Sequence, residues 1–406
     1  MPNPVFLIGS GRTDFKRNLA KEGKTLRDII VEAARAAIDD AGIEPGRISS
    51  GVVGNFAAGQ FVKQLHLGSY LVEVDEALRG IPTLHTEAAC ASGAVAMTTA
   101  IQQVMGGLYD CVLVVGAEQQ KTMSPAEGAD VLGAAGDFKN ERTAYGEYMF
   151  PKLFGRIAQL YDEKYGLTDK QLACVASKNF AHARLNPLAQ TRDNSVTCEA
   201  AMTESDKNPR IAPPLKITDC SQITDGAAAV VLCSESFLKS LGKKPASRLL
   251  GVGQSTDYLP LDRKDAPTFS TARKAARGAF SMAGLSPKDV HGCDVHDCFS
   301  ITEIVAYEIL GLAGDGQGAK LAESGATMHP SVGGTRTAGV PVVNPGGGLI
   351  GDGHPVGATG VRQVVEAHEH LLGRAGKRQI EGASTYLTFN MGGSLTTAVA
   401  MLWGKA

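Results

Sequence analysis

The chain has 406 residues, 48 of them glycine, with 43% hydrophobic and 20% charged residues and a formal charge of −2. That length allows two or three domains and a core that needs no disulfide or metal to close it. Forty basic residues against 42 acidic ones exclude a strongly basic nucleic-acid binder, and no apolar run approaches the ~20 residues of a membrane span.

Taken from the N-terminus, the apolar run Val5 to Ile8 predicts a strand, and Gly9-Ser10-Gly11 a structural turn after it. The turn is not a dinucleotide fingerprint, because Asp14 stands where the third glycine is required. Thr25 and Asp28 form a capping signature. Ile29, Ala33, Ala37 and Ala41 then follow helical spacing, Gly42 suits the left-handed end of that helix, and Pro45 blocks its continuation. The pattern returns 242 residues later: Ala33 to Pro45 matches Ala275 to Pro287, and Gly9-Ser10-Gly11 falls on Gly251-Val252-Gly253. A looser pair follows. Cys90 opens a helix that leads to the strand Cys111 to Val115, and His354 opens one that leads to Thr385 to Phe389.

The chain is therefore expected to be α/β with duplicated halves. Residues 1–119 and 225–245 form the first half, and residues 246–406 the second. The polar, proline-interrupted stretch 120–224 is an insertion carried by the first half, which resumes in the buried-strand signal Asp225 to Leu232.

Three segments can do chemistry. Cys90 lies in Ala88-Ala89-Cys90-Ala91-Ser92-Gly93 at a helix start, where the dipole lowers a thiol pKa; the position equally suits a buried structural cysteine. His354 follows a glycine run and precedes Pro355, expected at the first helical position. An imidazole there can deprotonate a thiol or donate to an oxyanion. In His296-Asp297-Cys298-Phe299, strand spacing would turn His296 and Cys298 to one face. No cysteine pair has zinc-site spacing. Eight scattered cysteines and the lack of a signal pattern in residues 1–20 point to a reducing, cytoplasmic setting.

Cys90-Ala91-Ser92-Gly93, His296-Asp297-Cys298-Phe299, Gly353-His354-Pro355 and Asn390-Met391-Gly392-Gly393 together resemble the thiolase superfamily over essentially the whole chain. The resemblance implies a thiolase fold of five layers, α-β-α-β-α, with a loop domain over residues 120–224 that covers coenzyme A. There are two departures from the common pattern. His296 to Phe299 replaces Asn-Glu-Ala-Phe, and Asn390-Met391-Gly392 replaces Cys-x-Gly. This exchange is similar to sterol-carrier-protein-type thiolases and archaeal-type acetyl-CoA acetyltransferases.

The activity implied is acyl-CoA C-acyltransfer: Claisen condensation of acyl-CoA, or thiolytic cleavage of 3-ketoacyl-CoA. Cys90 would carry the acyl group, His354 would take its proton, and Cys298 would remove the α-proton of a second acyl-CoA. His354 with His296, and the backbone N–H of Cys90 with that of Gly392, would hold the two oxyanions; whether His296 acts directly or through water stays open. Asn390, where the family has its cysteine, is counted with the site. Coenzyme A thioesters are the implied substrates, with no permanent cofactor and no metal. A homodimer or homotetramer is expected, and a zinc-containing acyl-CoA-binding protein is a further partner. The alternatives are a thiolase-like aldol lyase on CoA thioesters and a non-catalytic acyl-CoA-binding subunit.

Overall fold

The computed structural model describes residues 3–242 and 247–406. The expected boundary between the halves, 245/246, lies outside the described residues.

Among the described residues twelve strands follow in chain order: β1 (Val5–Arg12), β2 (Ser50–Gly54), β3 (Thr83–Thr86), β4 (Cys111–Glu118), β5 (Arg210–Ala212), β6 (Leu215–Lys216), β7 (Gly226–Ser234), β8 (Ser247–Thr256), β9 (Gly292–Asp294), β10 (Val342–Val343), β11 (Thr385–Gly392) and β12 (Thr397–Gly404). All but the β5–β6 hairpin join one sheet of order β10-β9-β11-β12-β8-β1-β7-β4-β2-β3. It divides at the short β1–β8 contact, Phe6 with Arg248 and Leu7 with Ser247. On either side the pattern repeats. β2 lies parallel to β3 and β4, and β7 antiparallel to β4 and β1; β9 lies parallel to β10 and β11, and β12 antiparallel to β11 and β8. The duplication read from the sequence is thus a repeat of topology. The halves differ in one connection: β11 passes to β12 through four residues, whereas β4 reaches β7 only after the stretch 119–225, which carries five helices and the β5–β6 hairpin.

The helix Leu26–Ala41 forms as its sequence dictates. Thr25 and Asp28 close the capping box, and Gly42 ends the helix at φ 58°, a cap worth about 1 kcal/mol. Its counterpart, Ser270–Ala283, ends at Gly284 with φ 65°. Each packs on the outer face of its own half. Gly9-Ser10-Gly11, expected as a turn, lies inside β1. The reason is close approach: a Cβ on Gly9 would stand 2.3 Å from the Ala37 carbonyl, and one on Gly251 would stand 2.1 Å from that of Ala279. The glycines let a helix lie directly on a strand.

Between the two half-sheets run the helices Ser92–Met105 and Thr359–Leu372. One core joins Met97 and Ile101 of the first, Val361 and Val364 of the second, Leu7 and Val112 of one half-sheet and Met401 and Trp403 of the other. Outer helix, strands, central helices, strands and outer helix make five layers.

Candidate active site

The two central helices bring the chemistry together. Each is preceded by a short 3-10 turn, Ala89–Ala91 or Val356–Ala358. Their starts cross where neither has a side chain to spare: a Cβ on Gly93 would meet the Gly357 carbonyl at 2.6 Å, and one on Gly360 the Ala94 nitrogen at 2.2 Å. This contact sets Cys90 beside His354, although 264 residues separate them in sequence. Pro355 is not the first helical residue as expected. It lies extended ahead of the 3-10 turn, at φ −70° and ψ 106°, and the α-helix opens at Thr359.

Cys90 follows Ala89, whose φ of 51° is left-handed. The Ser92 hydroxyl holds this tight turn, accepting from the Ala88 N–H at 2.9 Å and donating to the Ala89 carbonyl at 2.6 Å. Non-glycine residues in that conformation cost about 1–3 kcal/mol and cluster at functional sites.

His296 and Cys298 do not sit on a strand. β9 stops at Asp294, and residues 295–299 form the loop into the helix Ser300–Ile309. Alternation therefore does not orient them. The inserted stretch does: Ser221 N–H donates to the Cys298 carbonyl at 2.9 Å, Cys220 bridges Phe299 and Ile223 bridges His354.

The result is one buried cluster. Ligand-capable atoms of Cys90, His296 and His354 all lie within 4.8 Å of one another. The two imidazoles meet edge to face, centroids 5.1 Å apart at 87°. Cys90, His354 and Cys298 line an apolar cavity of about 230 Å³, walled by Leu132, Phe150, Phe299 and Val356, with Tyr148, Ile211 and Ile223 towards its mouth. Gly392 packs behind Cys90, so close that a Cβ would stand 2.2 Å from the Ala88 carbonyl. The backbone N–H that reaches the Cys90 sulfur is that of the next residue, Gly393.

Partners outside the cavity orient each ring. His354 Nδ1 lies 2.7 Å from Thr359 Oγ1, whose hydroxyl also donates to the Pro355 carbonyl at 3.3 Å. Nδ1–H then donates to Thr359 and leaves a lone pair on Nε2. Asn390 Nδ2 donates to His296 Nδ1 at 2.8 Å, which puts that ring's proton on Nε2. The His354 N–H donates to Thr224 Oγ1 at 2.9 Å, and its carbonyl accepts from Gln120 at 2.9 Å. Sequence reasoning missed Thr359, Thr224 and Gln120. Thr359 lies in the segment after His354, and Gln120 and Thr224 are the end residues of the stretch 120–224, but no motif marks any of the three.

Electrostatics correct the expectation for Cys90. Burial pushes its thiol up to about 12, only partly opposed by the Gly393 N–H. The helix start does not win, because the sulfur is out of water and the buried Glu118 carboxylate works against a second negative charge. Burial, then the Arg362 charge, pushes His354 down to about 3; burial and the neighbouring His354 hold His296 well below its ordinary range. Burial, then Cys90, raises the Cys298 thiol well above its usual range. At neutral pH the site is two thiols and two neutral imidazoles. A proton must pass from sulfur to nitrogen as the substrate reacts.

Residues 5–236 match the family described as Thiolase, N-terminal domain, and residues 253–405 the Thiolase C-terminal domain-like family. The chain is 38% identical over 381 residues to an acetyl-CoA acetyltransferase of Methanothermobacter thermautotrophicus, covering 94% of this chain and 95% of that one. It is 33% identical to sterol carrier protein 2 of Bos taurus, over 96% of this chain and 70% of that one. Among solved structures, the Ltp2-ChsH2(DUF35) aldolase shares the fold, with a TM-score of 0.81 at 21% identity over 100% of this chain and 98% of that one. The chain is a member of the thiolase family.

Proposed function

We propose that the protein is an acyl-CoA C-acyltransferase that works through a Cys90 acyl-enzyme. One observation carries this reading: the convergence of Cys90, His296 and His354 in one buried cluster, with Cys90 and His354 lining an apolar cavity. In the first step the Cys90 S–H proton passes to the free nitrogen of His354 while sulfur attacks the thioester carbonyl. The tetrahedral oxyanion lies against backbone N–H groups at Cys90 and Gly392-Gly393. The C–S bond to coenzyme A breaks, and His354 returns the proton to the departing thiolate.

In the synthetic direction a second acyl-CoA enters. The Cys298 S–H proton passes to His354 Nε2, the Cys298 thiolate takes the α-proton, and the Nε2–H groups of His296 and His354 donate to the enolate oxygen. The new carbanion attacks the acyl carbon on Cys90 and releases the Cys90 thiolate, which takes the proton held by His354. Thiolysis of a 3-ketoacyl-CoA is the reverse. Neutral His296 with its proton on Nε2 supports a direct donor role. Coenzyme A thioesters are the substrates and no permanent cofactor takes part.

The assembly is proposed to be a homodimer or homotetramer. The open edge strand β3 supports this, with Leu84 47% exposed. A zinc-containing acyl-CoA-binding partner is the finer proposal; the two-component name of the solved neighbour supports a second protein component. The cytoplasm is the proposed compartment, supported by eight cysteines that are all free. Among the described residues no helix is long and apolar enough to cross a membrane.

The test is the intact mass after mixing with acetyl-CoA and a series of longer acyl-CoAs, with peptide mapping. One acyl adduct on Cys90, absent in Cys90→Ala, is expected. A folded, reduced sample that takes no adduct would overturn the reading.

A further inference from the structure

The three groups that meet in the buried cluster are a thiol and two imidazoles, a donor set with a second chemistry besides acyl transfer. We propose that Cys90, His296 and His354 form a reversible site for a thiophilic divalent cation, zinc first among them, and that occupancy blocks the nucleophile. That it blocks acyl transfer rests on the function proposed above; that it binds metal does not.

Three observations carry the proposal. The first is distance. All three side chains are buried, and their ligand atoms lie within 4.8 Å of one another. Zinc bonds of ~2.0–2.1 Å to nitrogen and ~2.3 Å to sulfur span such a set with small side-chain shifts. The second is orientation. Both Nδ1 atoms are engaged away from the cluster, by Thr359 at 2.7 Å and Asn390 at 2.8 Å, and the rings stand at 87°, so their remaining nitrogens approach one point from two planes instead of stacking. Outer partners of this kind fix ligand imidazoles in metal sites. The third is Asn390. It is 2% exposed, and its Oδ1 has no hydrogen-bond partner among the described residues. A metal on His296 Nε2 requires the ring proton on Nδ1, and the Asn390 amide, turned over, offers Oδ1 to accept it.

The exchange balances. The Cys90 S–H bond breaks and an S–Zn bond forms, with one proton released to solvent; the His296 proton moves from Nε2 to Nδ1. Three protein ligands leave a fourth position for water, open to the cavity. Zinc needs no redox partner, and cysteine with histidine selects it over magnesium or calcium.

The experiment uses the reduced, chelator-stripped full chain. Zinc is titrated in competition with a chromophoric chelator. Cobalt is then substituted, and its thiolate-to-metal absorption reports a sulfur ligand directly. One metal per chain is expected, with Cys90 protected from iodoacetamide and acyl transfer restored by chelator. Removing an outer partner of a ligand histidine costs about 10–100-fold in affinity, so Cys90→Ser and His296→Ala should each weaken binding by more than ~100-fold. The rival site is Cys174 with Cys198, whose sulfurs lie 3.6 Å apart. Affinity lost in Cys174→Ser/Cys198→Ser, or kept in both Cys90→Ser and His296→Ala, would overturn the proposal. Metal bound at Cys90 in a protein that takes no acyl group would leave the metal site standing and sink the acyltransferase reading; an acylated Cys90 with zinc held elsewhere would do the opposite.

Discussion

Asp297 stands between His296 and Cys298 in the chain, but its carboxylate turns away from the cavity and accepts the Leu349 N–H at 2.7 Å. It also accepts from Ile350 N–H at 3.1 Å and from Asn179 at 2.8 Å. It thereby ties the loop that carries His296 and Cys298 to the short helix Gly348–Gly351, which leads into His354, and both to the inserted helix Asp169–Ala183. Nothing larger than glycine fits at position 348, where a Cβ would lie 2.3 Å from this carboxylate.

Replacing Asp297 by Asn puts an amide N–H against a backbone N–H that has no other direction to turn. A buried group left unpaired costs about 1–3 kcal/mol. Asp297→Asn is expected to lower the melting temperature and kcat together, since the tie sets the loop of His296 and Cys298 against the turn that carries His354. Thermal unfolding and steady-state thiolysis read both. Wild-type kcat in the variant would show that the tie does not set the site.

Gly360→Ala drives a methyl into the Ala94 backbone at 2.2 Å and wedges apart the two helix starts. Overpacking of this kind costs about 1–3 kcal/mol, and a displacement of ~1 Å between reacting groups costs about 100-fold in rate. The control is Gly278→Ala, inside the helix Ser270–Ala283, where the new Cβ meets only Gly253 Cα at 3.6 Å. That variant should keep full activity and gain up to about 1 kcal/mol from helix propensity. Calorimetry and acylation rates separate the two.

The repeat of the fold was legible because both halves reuse one apolar and glycine pattern: Ala33 to Gly42 and Ala275 to Gly284 bury the same faces at the same offset. Cys90 and His354 were legible because each opens a helix after small residues. Other features depend on packing between segments far apart in sequence. Gly9 and Gly11 look like a turn until a helix is laid on them. His296 and Cys298 look like alternate strand positions until β9 is seen to end at Asp294. Thiol chemistry was misjudged for the same reason. The helix start acts locally on Cys90, whereas the burial that outweighs it comes from Gly392 and Gly393 at the far end of the chain and from the inserted stretch.

Thr359→Val removes a hydroxyl at nearly constant shape and frees His354 Nδ1 from its partner at 2.7 Å. The ring then loses its preference for the tautomer with a lone pair facing Cys90. Loss of such an outer partner costs about 10–100-fold. It should appear in kcat and in the rate of Cys90 acylation, with KM within about threefold, since no substrate contact is removed. Thr359→Ser restores the hydroxyl and should restore most of the rate. A slow Thr359→Ser, or an unaffected Thr359→Val, would remove Thr359 from the mechanism.

With Cys90 raised to about 12 and His354 lowered to about 3, both partners are neutral across the working range. A Cys–His site that rests as an ion pair alkylates at a rate independent of pH from about 6 to 8. Here the thiolate fraction of free enzyme instead grows about tenfold per pH unit, and iodoacetamide inactivation of Cys90 should climb with that slope from pH 6 to 9. Acyl transfer depends on His354 instead and lacks that slope on the acid side. His354 must be neutral to take the proton, and with its pKa pushed down it stays neutral well below pH 6. The acid limb of kcat/KM should therefore not fall near the ordinary histidine value of ~6.5. A plateau in alkylation from about pH 6 to 8 would mean that the pair rests ionised, and a fall of kcat/KM centred on ~6.5 that His354 titrates as an ordinary histidine; either would mean that cavity water lifts the burial penalty.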